Sequence, residues 1–113
     1  MRAVHYGDVF SCRLSPVVGS EEGKLRPVII VQRDRGNRVS PTTIIVPLST
    51  RWKNKDDWFH IHIEPDERNG LYQKGTIMCE QIRVVDMSRL HKYFGKVSET
   101  LMVIIKHEIG KLI

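Results

Sequence analysis

Cysteine is scarce in this chain. Cys12 and Cys79 are the only two in 113 residues, and no Cys-x-x-Cys spacing occurs. Neither a disulfide framework nor a thiol nucleophile is the expected reading; both are expected as reduced, buried small hydrophobes. No apolar run approaches the roughly 20 residues that a membrane helix needs. The N-terminal stretch Met1-Arg2-Ala3-Val4-His5-Tyr6 lacks an apolar signal region, so a cytoplasmic protein with no membrane partner is expected. Internal repeats, low-complexity tracts and linkers are also missing. A length of 113 residues suits a single domain, 1–113. No cluster of carboxylates suggests a metal centre.

Basic residues, by contrast, are in excess. Eighteen Lys and Arg against thirteen Asp and Glu leave a formal charge of +5, which favours an anionic partner such as nucleic acid, an acidic protein or a membrane surface. The stretch that organises the rest is Ser15 to Gln32. Its first half is a loop with Gly19 and Gly23 around Ser20-Glu21-Glu22, able to turn tightly. Its second half, Val28 to Val31 behind Arg26-Pro27, has the β-branched run of a buried strand. Proline suits the first residue of that strand and biases Arg26 to an extended conformation. A guanidinium is thus expected where a loop meets a rigid sheet, a good place for a functional cation.

Strands are also expected over Val9–Leu14, over Thr42–Val46 with Pro47 marking an edge or bulge, and from Thr76 to about Val85. A short one is expected over Tyr93–Val97. Phe59, Ile61 and Ile63 alternate with His60, His62 and Glu64, the cleanest period-2 signal in the chain. Residues 33–38 read as a polar turn. Asp86 is expected to cap a short helical turn, and Ser98 to cap a helix whose apolar face is Leu101, Ile105, Ile109 and Leu112. Short strands with one amphipathic helix imply a small curved sheet or barrel with the helix packed against it.

These residues carry a resemblance to the MazF/PemK family of bacterial toxins. Gly7-Asp8-Val9, Pro16-Val17-Val18-Gly19-Ser20-Glu21 with Gly23, Arg26-Pro27-Val28, Gly36-Asn37-Arg38, Ser40-Pro41-Thr42, Val46-Pro47-Leu48-Ser49 and Glu80-Gln81-Ile82-Arg83 follow in family order. They span roughly residues 6 to 95. The resemblance implies a mainly β fold, an SH3-like barrel of the MazF–PemK–CcdB type with a C-terminal α-helix. It implies a homodimer, metal-independent cleavage of single-stranded RNA without a cofactor, and neutralisation by a cognate acidic antitoxin. Two positions depart from the family: Ser49 stands where threonine is common, and Arg33 where asparagine often stands.

Metal-free cleavage uses the RNA's own 2′-hydroxyl as nucleophile, leaving a 2′,3′-cyclic phosphate and a 5′-hydroxyl. Such a site must accept one proton, stabilise a phosphorane and protonate the leaving oxygen. The resemblance assigns this work to Arg26, Ser49 and Glu21. A planar guanidinium matches two phosphate oxygens, and its pKa above ~12 favours electrostatic stabilisation over proton transfer. Ser49 would donate to the same phosphate, while Glu21 would orient Arg26 or take the 2′-proton. RNA contacts are expected from Ser20, Lys24, Arg33, Thr50, Trp52, Lys53, His60 and Gln81. For Trp52, base stacking and anchoring of a loop are both open. His60 and His62 share a strand face, which admits a general base or a zinc site as well as a plain polar face. Since toxins of this fold also include gyrase inhibitors, a non-enzymatic protein-binding toxin is the alternative.

Overall fold

The computed structural model describes residues 3–14, 25–52 and 60–113. Among these residues seven strands form an antiparallel sheet in the order β4-β5-β3-β2-β1-β7, with β6 also paired to β3. The strands are β1 (Asp8–Arg13), β2 (Leu25–Ile30), β3 (Thr42–Ser49), β4 (His60–Ile63), β5 (Gly75–Met78), β6 (Arg83–Asp86) and β7 (Leu90–Lys96). A short helix, α1 (Asp34–Val39), links β2 to β3, and α2 (Glu99–Leu112) ends the chain.

Strand alternation divides the apolar residues between two cores. Val9, Ile29, Val46, Leu48 and Ile77 face one, which α2 covers with Met102 and Ile105. Phe10, Cys12, Val28, Ile30 and Ile45 face the other, together with Val85 of β6 and Leu90 of β7. Only the turn Met87–Arg89 separates β6 from β7, so the sheet curls until its distant strands meet over the second core. The result is mainly β and barrel-like with a C-terminal helix, although no ladder among the described residues closes the barrel.

Local chemistry explains the boundaries. The Ser98 side chain accepts a hydrogen bond from the Leu101 N–H at 3.1 Å, and Glu99 lies in the positive first turn of α2. The Asp86 side chain accepts from the Ser88 N–H at 2.9 Å and caps the turn that follows. Burial pushes the Cys79 thiol up to about 12, with Glu108 and Glu80 adding to the rise. The Cys12 thiol is likewise pushed up by burial, to about 11, against the opposing pull of Arg83 and Arg89. Both cysteines are buried and unbridged, as their spacing suggests.

Three elements differ from the sequence expectation. The stretch 34–39 is helical although Gly36 lies in its middle. Its hold is tertiary: the buried Asn37 accepts from Gln32 Nε2 at 2.9 Å and from Thr43 Oγ1 at 2.7 Å, and donates to the Gln32 carbonyl at 2.9 Å. The strand expected over 76–85 is broken by a 3₁₀ turn at Cys79–Gln81, because its two halves pair with different parts of β3. Pro47 marks that change of partner within a continuous strand: Ile45 is the last residue of β3 on β6, and Leu48 the first on β5.

Candidate active site

Arg26, the second residue of β2, lies directly opposite Cys12 of β1. On its other side, β2 pairs with β3 through Ile30–Ile45, Ile29–Val46 and Val28–Pro47. Carried on by two residues, that register sets Arg26 across from Ser49. Ser49 in turn pairs with Thr76 of β5, and Thr76 with His62 of β4. Residues directly opposite one another in an antiparallel sheet share a face, about 4.5–5.5 Å apart between Cβ atoms. Cys12, Arg26, Ser49, Thr76 and His62 therefore form one transverse row.

Cys12 and Thr76 are fully buried, Ser49 is buried and Arg26 half-buried. Ser49 Oγ accepts a hydrogen bond from the Arg51 N–H at 3.1 Å. This uses a lone pair and leaves the hydroxyl proton available for donation to a ligand. Thr76 Oγ1 donates to the Arg51 carbonyl at 2.8 Å, so Arg51 is held at both backbone groups and the turn after β3 is set. A guanidinium and a hydroxyl in one such row are both groups able to donate to an anion.

Beyond the row lies an aromatic contact. The Trp52 ring stacks on His62 with centroids 3.7 Å apart, and Lys74 Nζ lies 4.8 Å from the Trp52 centroid. Trp52 is still 43% exposed. Of the two roles open to it, anchoring is the one its own chain provides. His60, two residues before His62, has a side chain only 7% exposed. Its Nε2 lies 3.1 Å from Glu80 Oε2, where one imidazole tautomer donates to the carboxylate. Among the described residues, no group of three His, Cys, Asp or Glu side chains is arranged to hold a metal ion.

Other expected RNA contacts are spread more widely. Thr50 is exposed directly after Ser49, and Gln81 is exposed on the turn between β5 and β6. Arg33 lies past the opposite end of β2, in a cleft with Tyr6, Ile105 and Lys106. From Arg26 to Ile30 alone the strand runs ~13 Å, which separates the two arginines within one chain. Ser20, Glu21, Lys24 and Lys53 lie outside the described residues. The residue that sequence reasoning under-weighted is His62. Its period-2 signal is the same as that of His60, and only strand register aligns it with Ser49 and Arg26.

With this geometry established, kinship is informative. Residues 5–113 match the family described as PemK-like, MazF-like toxin of type II toxin–antitoxin system. Endoribonuclease EndoA of Bacillus subtilis is 38% identical over 99 residues, covering 88% of this chain and 84% of that protein. Endoribonuclease MazF of Staphylococcus saprophyticus is 38% identical over 103 residues, covering 91% and 85%. A crystal structure of MazF from Deinococcus radiodurans superposes with a TM-score of 0.81 at 19% identity, covering 99% of this chain and 97% of that one. At that identity the likeness is one of fold.

Proposed function

The chain belongs to the PemK-like, MazF-like family of type II toxins and, 38% identical to two endoribonucleases over most of its length, is itself an endoribonuclease; on that premise we propose that it cuts single-stranded RNA without a metal ion, at a site built on Arg26 and Ser49. The observation that supports this reading is the register of β2 on β3, which, carried two residues past its last pair, Val28–Pro47, sets Arg26 across from Ser49.

The chemistry follows from those two groups. The 2′-oxygen attacks the adjacent phosphorus and loses its proton to a base, the role proposed for Glu21. Negative charge grows on the non-bridging oxygens, where Arg26 and Ser49 donate. The P–O5′ bond breaks, and the departing oxygen takes up a proton. The products are a 2′,3′-cyclic phosphate and a 5′-hydroxyl. Both electrons and protons balance with no external reactant.

Incubating the purified protein with a long RNA in EDTA, and then mapping the ends, tests this scheme. Discrete cuts bearing cyclic phosphate and 5′-hydroxyl termini are the expected result. Cleavage abolished by the chelator and restored by zinc would instead revive the role of His60 and His62 as ligands. Ser49→Ala is expected to lower kcat/KM roughly tenfold or more, and Thr50→Ala by less. The reverse order on one fluorogenic RNA would move the phosphate contact to Thr50.

The proposed toxin works as a homodimer in the cytoplasm. Support for self-association comes from Val84 of β6 and from Ile82 just before it, 58% and 39% exposed, and from the neighbouring apolar cleft lined by Ile44 and Ile109. Bulky β-branched residues on a partly paired strand are protected when covered. A net charge of +5 suits both RNA and an acidic cognate antitoxin competing for the same groove. No helix among the described residues is long and apolar enough to cross a membrane.

A further inference from the structure

A second cleft adjoins Ser49. Its apolar part comes from Leu25, Pro27, Leu48 and Leu71, and its mouth carries Ser49, Thr50, Tyr72 and Lys74. Leu25 and Pro27 flank Arg26 in sequence, so their side chains lie on the opposite face of β2 from the guanidinium; the cleft meets the proposed catalytic pair at the strand ends, where Ser49 and Thr50 line it. At about 200 Å³ it is smaller than the ~300–1,000 Å³ of pockets for drug-sized ligands, and suits a single planar ring system.

Tyr72 is the unusual member. It is 80% exposed, although its ring meets Phe94 edge-on at 5.9 Å. Lys92 Nζ donates to its hydroxyl oxygen at 3.4 Å. Its edge-on contact with Phe94 leaves a ring face open to solvent, where a planar group can stack.

The loop that carries Tyr72 is firmly set. Asn69, almost fully buried, accepts from the Asp66 and Leu71 N–H groups at 3.1 and 3.0 Å and donates to the Glu64 carbonyl at 3.0 Å. Gly70 has a positive φ of 67°, and a Cβ there would collide with the Phe94 carbonyl oxygen. The Lys96 N–H donates to the Arg68 carbonyl at 2.8 Å, which ties the loop to β7. Lys74, at the cleft mouth, is positioned over Trp52, itself stacked on His62. A preorganised aromatic ring, an apolar slot and a nearby ammonium are the features that hold one unstacked base and its phosphate.

We propose that this cleft is the subsite for one nucleobase of the RNA flanking the scissile phosphate, with Tyr72 as its stacking platform and Lys74 as its phosphate contact. The inference rests on the nuclease reading above and deepens it, by naming residues that set sequence preference. Continuity with Ser49 and the positive rim favour RNA over an apolar peptide.

Cleavage of a randomised RNA pool, with base frequencies read at each position around every cut, tests it for wild type, Tyr72→Ala and Tyr72→Phe. Tyr72→Ala is expected to lower kcat/KM roughly 5- to 100-fold, mostly through KM, as for loss of one base stack. It should also flatten the base preference at one position beside the cut. Tyr72→Phe should keep both, because the ring remains. Lys74→Gln should raise KM and leave the base preference intact. An unchanged rate and profile in Tyr72→Ala would overturn the subsite while leaving the nuclease standing. Equal loss in Tyr72→Ala and Tyr72→Phe would overturn the stacking role. A wild-type protein that cuts nothing in the pool would overturn the nuclease reading and the subsite together.

Discussion

Replacing Arg26 with alanine is expected to lower RNA cleavage by roughly 10²- to 10⁴-fold while the protein stays folded. Three features set this magnitude. The residue stands near the start of β2, half-buried, where the register of β2 on β3 carried on by two residues sets it across from Ser49. Burial raises the value of a charge-assisted hydrogen bond over its value in water. The phosphate gains negative charge only as the 2′-oxygen attacks, so the arginine acts mainly on the transition state. The loss should fall on kcat more than on KM. Arg26→Lys should recover only part of it, since an ammonium keeps the charge but not the two-pronged geometry. Cleavage assays on a fluorogenic RNA, with circular dichroism as the control for folding, would check this. Undiminished cleavage by the alanine variant would remove Arg26 from the mechanism.

Gly75→Ala is expected to impair both fold and cleavage. A Cβ at this position would collide with the carbonyl oxygen of Ser49, a backbone atom that cannot rotate away. To accommodate it, β5 and the end of β3 must separate, where Ser49 pairs with Thr76. Overpacking of this kind costs about 1–3 kcal/mol, or a fall in Tm on the order of 10 °C for a chain of this size. The separation also moves Ser49 relative to Arg26. Shifts near 1 Å in a catalytic site lower rates by as much as ~10²-fold. Cleavage well below the new Tm should therefore fall more than the folded fraction does. Thermal unfolding and kcat/KM measured on the same samples separate the two effects. A variant with lowered Tm and native kcat/KM would show that Gly75 serves stability alone.

How much of this was legible in the chain varies with the range of the forces involved. Local signals performed well. The Ser98 cap, the Asp86 cap, the apolar face of α2 and the strand at His60–Ile63 depend on neighbours within four residues. Helix α1 was not legible, because Gly36 in its middle, with Asp34 and Asn37 on either side, disfavours a helix. What decides it is the bonding of Asn37 to Gln32 and Thr43, and a buried asparagine cannot be told from a solvated one by spacing alone. The break at Cys79–Gln81 was hidden for a similar reason: 76–85 is continuously strand-like, and its two halves part only because β3 offers them separate edges.

By itself, then, the sequence determined the family, the mainly β class with its terminal helix, and Arg26 and Ser49 as the residues to examine, since each depends on residue type and order along the chain. Tertiary structure alone decided which of these residues meet. The pairing of β2, β3, β5 and β4 aligned His62 and Thr76 with Ser49 and turned His60 to Glu80. It also left Arg33 beyond the other end of β2 and brought Tyr72 beside Ser49 across an apolar cleft. The reason is physical. A one-residue change of register reverses the face of every side chain on a strand, and register is set by the packing of two cores rather than by any residue's neighbours in the chain.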